Sequence, residues 1–363
     1  MAYTDIDKPS DYFNTKLYTG TGTSGGNTLG VTGVGFQPDF VWVKNRTAAI
    51  NHYLYDIIRG TGAATALHPN TTASEASAST YSTNGGVASL DSDGFTAYRG
   101  TDNTYQGTNM NGQAYASWNF KAGGTASSNT AGSINSSVSV NQDAGFSIVS
   151  YTGNGSDNAT IGHGLGSSIN FVIVKRRNST SNWLVQGSKV GTGYGQYLEL
   201  NATSAVTSAS DNIKSVSSSL LTLGTNGSCN GSSDTYIAYC FSEVSNYSKM
   251  ESYTGNGNAD GPFVYTGFKP AFLLVKRSSQ ANNDWNLHDN KSPGFNVNNS
   301  YLAPNSAAAE VTGNTSQIFD LLSNGFKCRG AGTGSNASGS TYIYMAFAEN
   351  PFVASNFVPT TAR

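Results

Sequence analysis

The sequence predicts an all-β protein made of three tandem β-sandwich modules. Three observations lead there: the composition, a turn-and-strand motif written three times, and an aromatic-rich strand that closes each copy. Charged residues make up 12% of the 363-residue chain, about half of the roughly 25% usual for soluble domains. Solubility therefore rests on Ser, Thr, Asn and 42 Gly, which favour turns over helices, while 20 Tyr and 17 Phe supply apolar surface suited to strands. A net charge of -2 gives no general attraction to nucleic acid or acidic lipid.

The motif reads Thr266-Gly-Phe-Lys-Pro-Ala-Phe-Leu-Leu-Val-Lys-Arg277. It also stands as Val34-Gly-Phe-Gln-Pro-Asp-Phe-Val-Trp-Val-Lys-Asn-Arg46 and, more worn, as Gly164-Leu-Gly-Ser-Ser-Ile-Asn-Phe-Val-Ile-Val-Lys-Arg176. Gly and Pro make the turn, and the four apolar residues before each lysine read as a buried strand. Upstream of each copy lies a landmark tyrosine, Tyr18, Tyr151 or Tyr253, and the stretch from tyrosine to lysine keeps nearly the same length. That regularity predicts one fold used three times.

In chain order, residues 1–15 form a polar leader with a turn at Lys8-Pro9-Ser10-Asp11, and residues 16–122 form the first module. A Gly/Ser/Thr/Asn tract, 123–143, is expected to be a flexible or loosely docked linker. The second and third modules span 144–244 and 245–351 with almost no linker between them, and 352–363 is a tail. Within each module the motif strand is followed by an aromatic-bearing hairpin partner around Tyr53, Trp183 or Trp285. A variable polar region comes next, and two copies then turn into a strand at Ser92-Asp-Gly-Phe95 and Ser323-Asn-Gly-Phe326, where the middle copy offers Leu220-Leu-Thr-Leu223. The closing strands, ending at Phe120, Phe241 and Phe347, carry apolar groups on both faces and are expected to be central in their sheets.

No residue set commits the chain to a reaction. Glu243 and Glu349 follow two closing strands, but Ala122 takes that place in the first copy, so no repeated acid pair for glycoside cleavage exists. His52, His68, His163 and His288 do not align between copies and lack a nucleophile elbow. Cys229, Cys240 and Cys328 are odd in number without CxxC spacing and read as free thiols. Asp91-Ser-Asp93 offers oxygens for calcium, but no EF-hand loop accompanies it; no metal or cofactor is expected. Lys44/Arg46, Lys175/Arg176/Arg177 and Lys276/Arg277 read as solvated strand-end rims. Tyr53, Trp183 and Trp285, with Phe120, Phe241 and Phe347, read as buried anchors of the repeat. Tyr81, Tyr105 and Tyr194, in the variable loops, are the candidate receptor contacts.

No apolar run is long enough for a membrane helix, and the N-terminus lacks the regions of a signal peptide, so synthesis in the cytoplasm without secretory export or membrane insertion is expected. The stretch from Tyr247 to Phe272, with Gly145-Phe-Ser-Ile-Val-Ser-Tyr-Thr-Gly-Asn-Gly155 and Tyr342-Ile-Tyr-Met-Ala-Phe-Ala-Glu-Asn-Pro-Phe352, resembles a tandem-repeat domain family of unassigned function. Its members occur in structural proteins of tailed, mainly marine, bacteriophages. The resemblance implies a concanavalin-like jelly roll, a place on the virion, and no catalytic residues to carry over. The expected function is accordingly an exterior tail fibre or adhesin-like component, with other virion proteins and a host-surface glycan or protein receptor as partners. Capsid decoration or a tail role without receptor binding is the alternative, and a surface-polysaccharide depolymerase the third reading. A homo-oligomer is expected, a trimer being the arrangement that suits a fibre, although no heptad or triple-helical stretch is present.

Overall fold

Strand alternation governs the architecture. In Phe40–Asn45, Phe40 and Trp42 point to one face, and Val41 and Val43 to the other; all four are buried. Such a strand needs cover on both sides, and the computed structural model, which describes residues 5–62, 65–76, 78–103 and 107–353, shows what provides it.

The protein is nearly all antiparallel β-structure; among the described residues its helices are a short α-helix, Ala78–Asn84, and a 3-10 turn, Pro9–Asp11. Three sheets share one internal strand order of opening, closing, motif and partner strand. In the first third these are Phe13–Thr19, Ala114–Phe120, Phe40–Asn45 and Tyr53–Asp56. In the middle third they are Phe146–Thr152, Thr235–Phe241, Phe171–Arg176 and Leu184–Gly187, and in the last third Ser248–Thr254, Thr341–Pro351, Phe268–Arg277 and Trp285–Asp289. Each closing strand is hydrogen-bonded on both sides. A three-stranded sheet accompanies each third, and in the first two thirds its apolar side shares a core cluster with the Val41 or Val172 face, a sandwich-like layering. In the middle third Leu220–Leu223 is the central strand of that small sheet, the place held elsewhere by Gly94–Tyr98 and Gly325–Cys328.

The landmark tyrosines stack on the first aromatic of the closing strand in the same way each time. Ring centroids are 5.0 Å apart for Tyr18 and Tyr115, 5.1 Å for Tyr151 and Tyr236, and 5.0 Å for Tyr253 and Tyr342. Their hydroxyls donate to the carbonyls of Thr108, Cys229 and Ser335, so each pair pins the loop that precedes its closing strand.

The opposite faces of these three sheets meet one another. Phe120, Phe241 and Phe347 form a triangle with centroid separations of 6.1, 5.9 and 5.0 Å, inside a core cluster that draws on all three thirds. This packing corrects two expectations. The 123–143 tract is not a loose linker: Ser127–Asn129 and Ser136–Asn141 add two strands to one edge of the middle sheet, which reaches eight with Gln196–Glu199 and Thr207–Ser208 at the other. Nor is the leader merely polar, since Ile6 and Phe13 are buried in the central cluster.

The strand-end lysines are a third correction. Parity places Lys44, Lys175 and Lys276 on the central face with Phe40, Phe171 and Phe272, and all three are buried rather than a solvated rim. Lys44 Nζ donates to the carbonyls of Asn45 at 2.7 Å and Ala307 at 3.1 Å, and Lys175 Nζ to those of Thr72 at 2.9 Å and Ser181 at 2.5 Å. Lys276 Nζ donates to Asn283 O at 2.5 Å. Loops from a neighbouring third cover the first two, a cover that local sequence does not reveal. Burial lowers the three ammonium groups to about 7, 8 and 8 respectively.

Candidate binding site

A cavity of about 500 Å³ opens at one edge of the last third, between its two sheets. Lys269 and Glu349 come from the motif and closing strands, Leu321 from Phe319–Leu322 of the small sheet, and the remainder of the wall from the loop after His288 and Asp289. That loop is fixed by its own polar groups. Asp289 Oδ1 accepts from the backbone N–H groups of Lys291 and Ser292, and Asn298 Nδ2 donates to Asp289 O at 2.7 Å. The Asn296 amide pairs with both the N–H and the carbonyl of Leu321, at 2.9 Å each, acting as a surrogate strand partner.

The chemistry of the wall is mixed. Lys269 Nζ lies 2.7 Å from Glu349 Oε2, Lys291 is exposed, Asn290 Oδ1 is shielded from water without a hydrogen-bond partner, and Phe295 stands 77% exposed at the rim. Such a site can bind, since it joins an apolar face and a cation in one concavity. Sequence reasoning missed it. Phe295 and Val297 lie in a polar loop read as variable, and apolar residues within such a loop were the available signal.

The residues singled out from the sequence fall elsewhere. Tyr53, Trp183, Trp285, Phe120, Phe241 and Phe347 are all buried. Tyr81 is half-buried and stacked on Tyr98 at 4.7 Å, and Tyr194 packs on the middle core while its hydroxyl donates to Ile169 O. Neither has the exposure expected of a receptor contact, because the loops fold back onto their own sheets; Tyr105 lies outside the described residues. Glu243 accepts from Met250 N–H and pairs with Lys249 at 3.2 Å, which makes it a turn anchor.

The histidines serve the scaffold. His52 Nδ1 accepts the indole N–H of Trp42 at 2.9 Å, so Nε2 carries the proton and faces Ala303 O at 3.0 Å. Burial holds all four histidines below the ordinary value, His288 at about 4. The oxygens of Asp91 accept from Ser89 and Thr96 hydroxyls, and those of Asp93 from Gly33 and Gly35 N–H groups. Among the described residues no group of three or more His, Cys, Asp or Glu is arranged to hold a metal ion. The three cysteines are free and buried, and burial pushes each thiol up to about 12.

The profile of a protein family described as a domain of unknown function, DUF7483, matches residues 8–351. The chain belongs to that family. The DUF7483 match runs from ahead of the first opening strand to the end of the last closing strand, so this domain takes in all three of the sheets with the shared strand order and the cavity. No curated protein and no solved structure matches the chain.

Proposed function

We propose that this DUF7483 protein is a structural component of a tailed-phage virion, an exterior tail fibre or adhesin-like part that contacts the host surface. In this reading its three thirds are copies of one jelly-roll-like sandwich module, which accords with the strand order that recurs in three sheets. The observation that carries host contact is a segregation of surface character. Among the described residues the exposed large apolar side chains are Phe263, Tyr265, Phe295 and Val297, all within one stretch of the last third. The first two thirds act as a rigid base, and the last presents the contact face. The partners are other virion proteins and a host-surface glycan or protein.

Immunogold labelling of particles tests this. Gold at the tail is the expected result, whereas gold over the head would reject the adhesin reading in favour of capsid decoration. Release of reducing ends from host polysaccharide by purified protein would replace both with a depolymerase.

A further inference from the structure

The cavity of the last third gathers polar chemistry that the scaffold does not use. Two ammonium groups and one carboxylate line it, and since Lys269 is paired with Glu349 at 2.7 Å, Lys291 gives the wall its net positive charge. The Lys291 ammonium has no ion-pair partner among the described residues and lies in an exposed turn. Asn290 Oδ1 is sealed from water without a partner, so it offers the cavity no free group. Asn296 and Asn298 are fully engaged with Leu321, Asp289 and His288, so they too shape the wall without offering free groups. Phe295 adds a flat apolar face at the mouth.

Each feature specifies its complement. The cation calls for an anion, and the ring for the apolar C–H face of a compact, otherwise polar molecule. A volume of about 500 Å³ suits a small ligand. We infer that the cavity is a binding site for an acidic saccharide, a sugar ring bearing a carboxylate of the uronate type. The carboxylate meets Lys291 Nζ, and the ring lies against Phe295. This deepens the host-contact reading and rests on it for the source of the ligand, a surface polysaccharide, but not for the binding itself.

The test is isothermal titration of the purified full chain with trigalacturonate and, separately, with the neutral trisaccharide maltotriose. The expected result is saturable binding of trigalacturonate, at least about tenfold tighter than maltotriose and weakened by salt. Lys291→Gln should weaken binding about tenfold and flatten the salt dependence, and Phe295→Ala should weaken it by a similar factor. Lys214→Gln, on the Ile213–Val216 strand of the middle third, should leave it unchanged. Absence of saturable binding, equal affinity for the two trisaccharides, or affinity untouched by both cavity substitutions would each overturn the inference. Head-located gold on virions together with intact trigalacturonate binding would remove the host-contact reading while leaving the saccharide site in place.

Discussion

Arg46 and Glu310, 264 residues apart, form a two-pronged ion pair: Nε to Oε1 at 3.1 Å and Nη2 to Oε2 at 2.8 Å. The contact ties the last third back to the first, beside the backbone bond from Glu310 N–H to Arg46 O. Glu75 and Arg177 do the same between the first and middle thirds, Glu75 N–H also bonding Arg177 O. Both pairs are largely buried, so removing one partner leaves a charge in a poor environment. Glu310→Ala should cost about 2 kcal/mol of unfolding free energy, and Glu75→Ala about 3 kcal/mol, because Glu75 also serves the fully buried Arg59. Chemical denaturation of the two variants checks both the size and the order.

The third joint is built differently. Val206 N–H bonds Ser278 O at 2.9 Å in the same manner, but neither residue carries a charge. The inner contacts follow suit. Tyr239 donates to Asp56 and Trp118 to Asp289, whereas the corresponding places between the middle and last thirds hold Met345 and Gly187. Hydrogen exchange should therefore find the Val206 amide less protected than those of Glu75 and Glu310, as expected where no ion pair accompanies the backbone bond. Equal protection at the three amides would contradict this account of the joints.

The shared core has its own consequence. A 363-residue chain of independent modules would unfold in steps, but here Phe13, Phe120, Phe146, Phe241, Phe272 and Phe347 occupy one cluster. Calorimetry should show a single transition with matching calorimetric and van't Hoff enthalpies. The excised segment 144–244, stripped of its neighbours, should lack a cooperative transition, since the face bearing Phe146 and Phe241 would be left in water.

The strands and their order of burial were readable because period-2 patterns and turn residues are local signals. The aromatic ends at Phe120, Phe241 and Phe347 indicated buried closing strands, and the structure buries them. What local pattern could not convey was the second partner of each sheet. The inward faces of Trp42 and Tyr239 looked like ordinary sandwich core, yet they pack at the junction of the thirds. The same gap misplaced Lys44, Lys175 and Lys276, whose cover comes from segments distant in sequence or from a turn closing over them. The cavity was illegible for a related reason: Lys269, Phe295 and Glu349 converge only after folding.

Those lysines set a pH response whose direction can be worked out. Lys44 falls from its ordinary 10.5 to about 7 in the folded chain, and Lys175 and Lys276 to about 8, because burial disfavours the charged form. Between those values and 10.5 the unfolded chain holds protons that the folded chain has released, so stability rises with pH in that window. The buried tyrosines act oppositely above about pH 10, where they ionise in the unfolded chain while Tyr151, Tyr239 and Tyr253 stay protonated in the folded one. On the acid side the histidines remain neutral when folded, and His288 is held at about 4, so stability falls as pH drops below the ordinary 6.5. The urea midpoint should accordingly climb from pH 5 to a maximum between about pH 9 and 10, then decline. Lys44→Met should lower stability near neutrality through its stranded carbonyls, yet flatten the climb above pH 7; an unaltered slope in that variant would show that Lys44 is not the group releasing its proton.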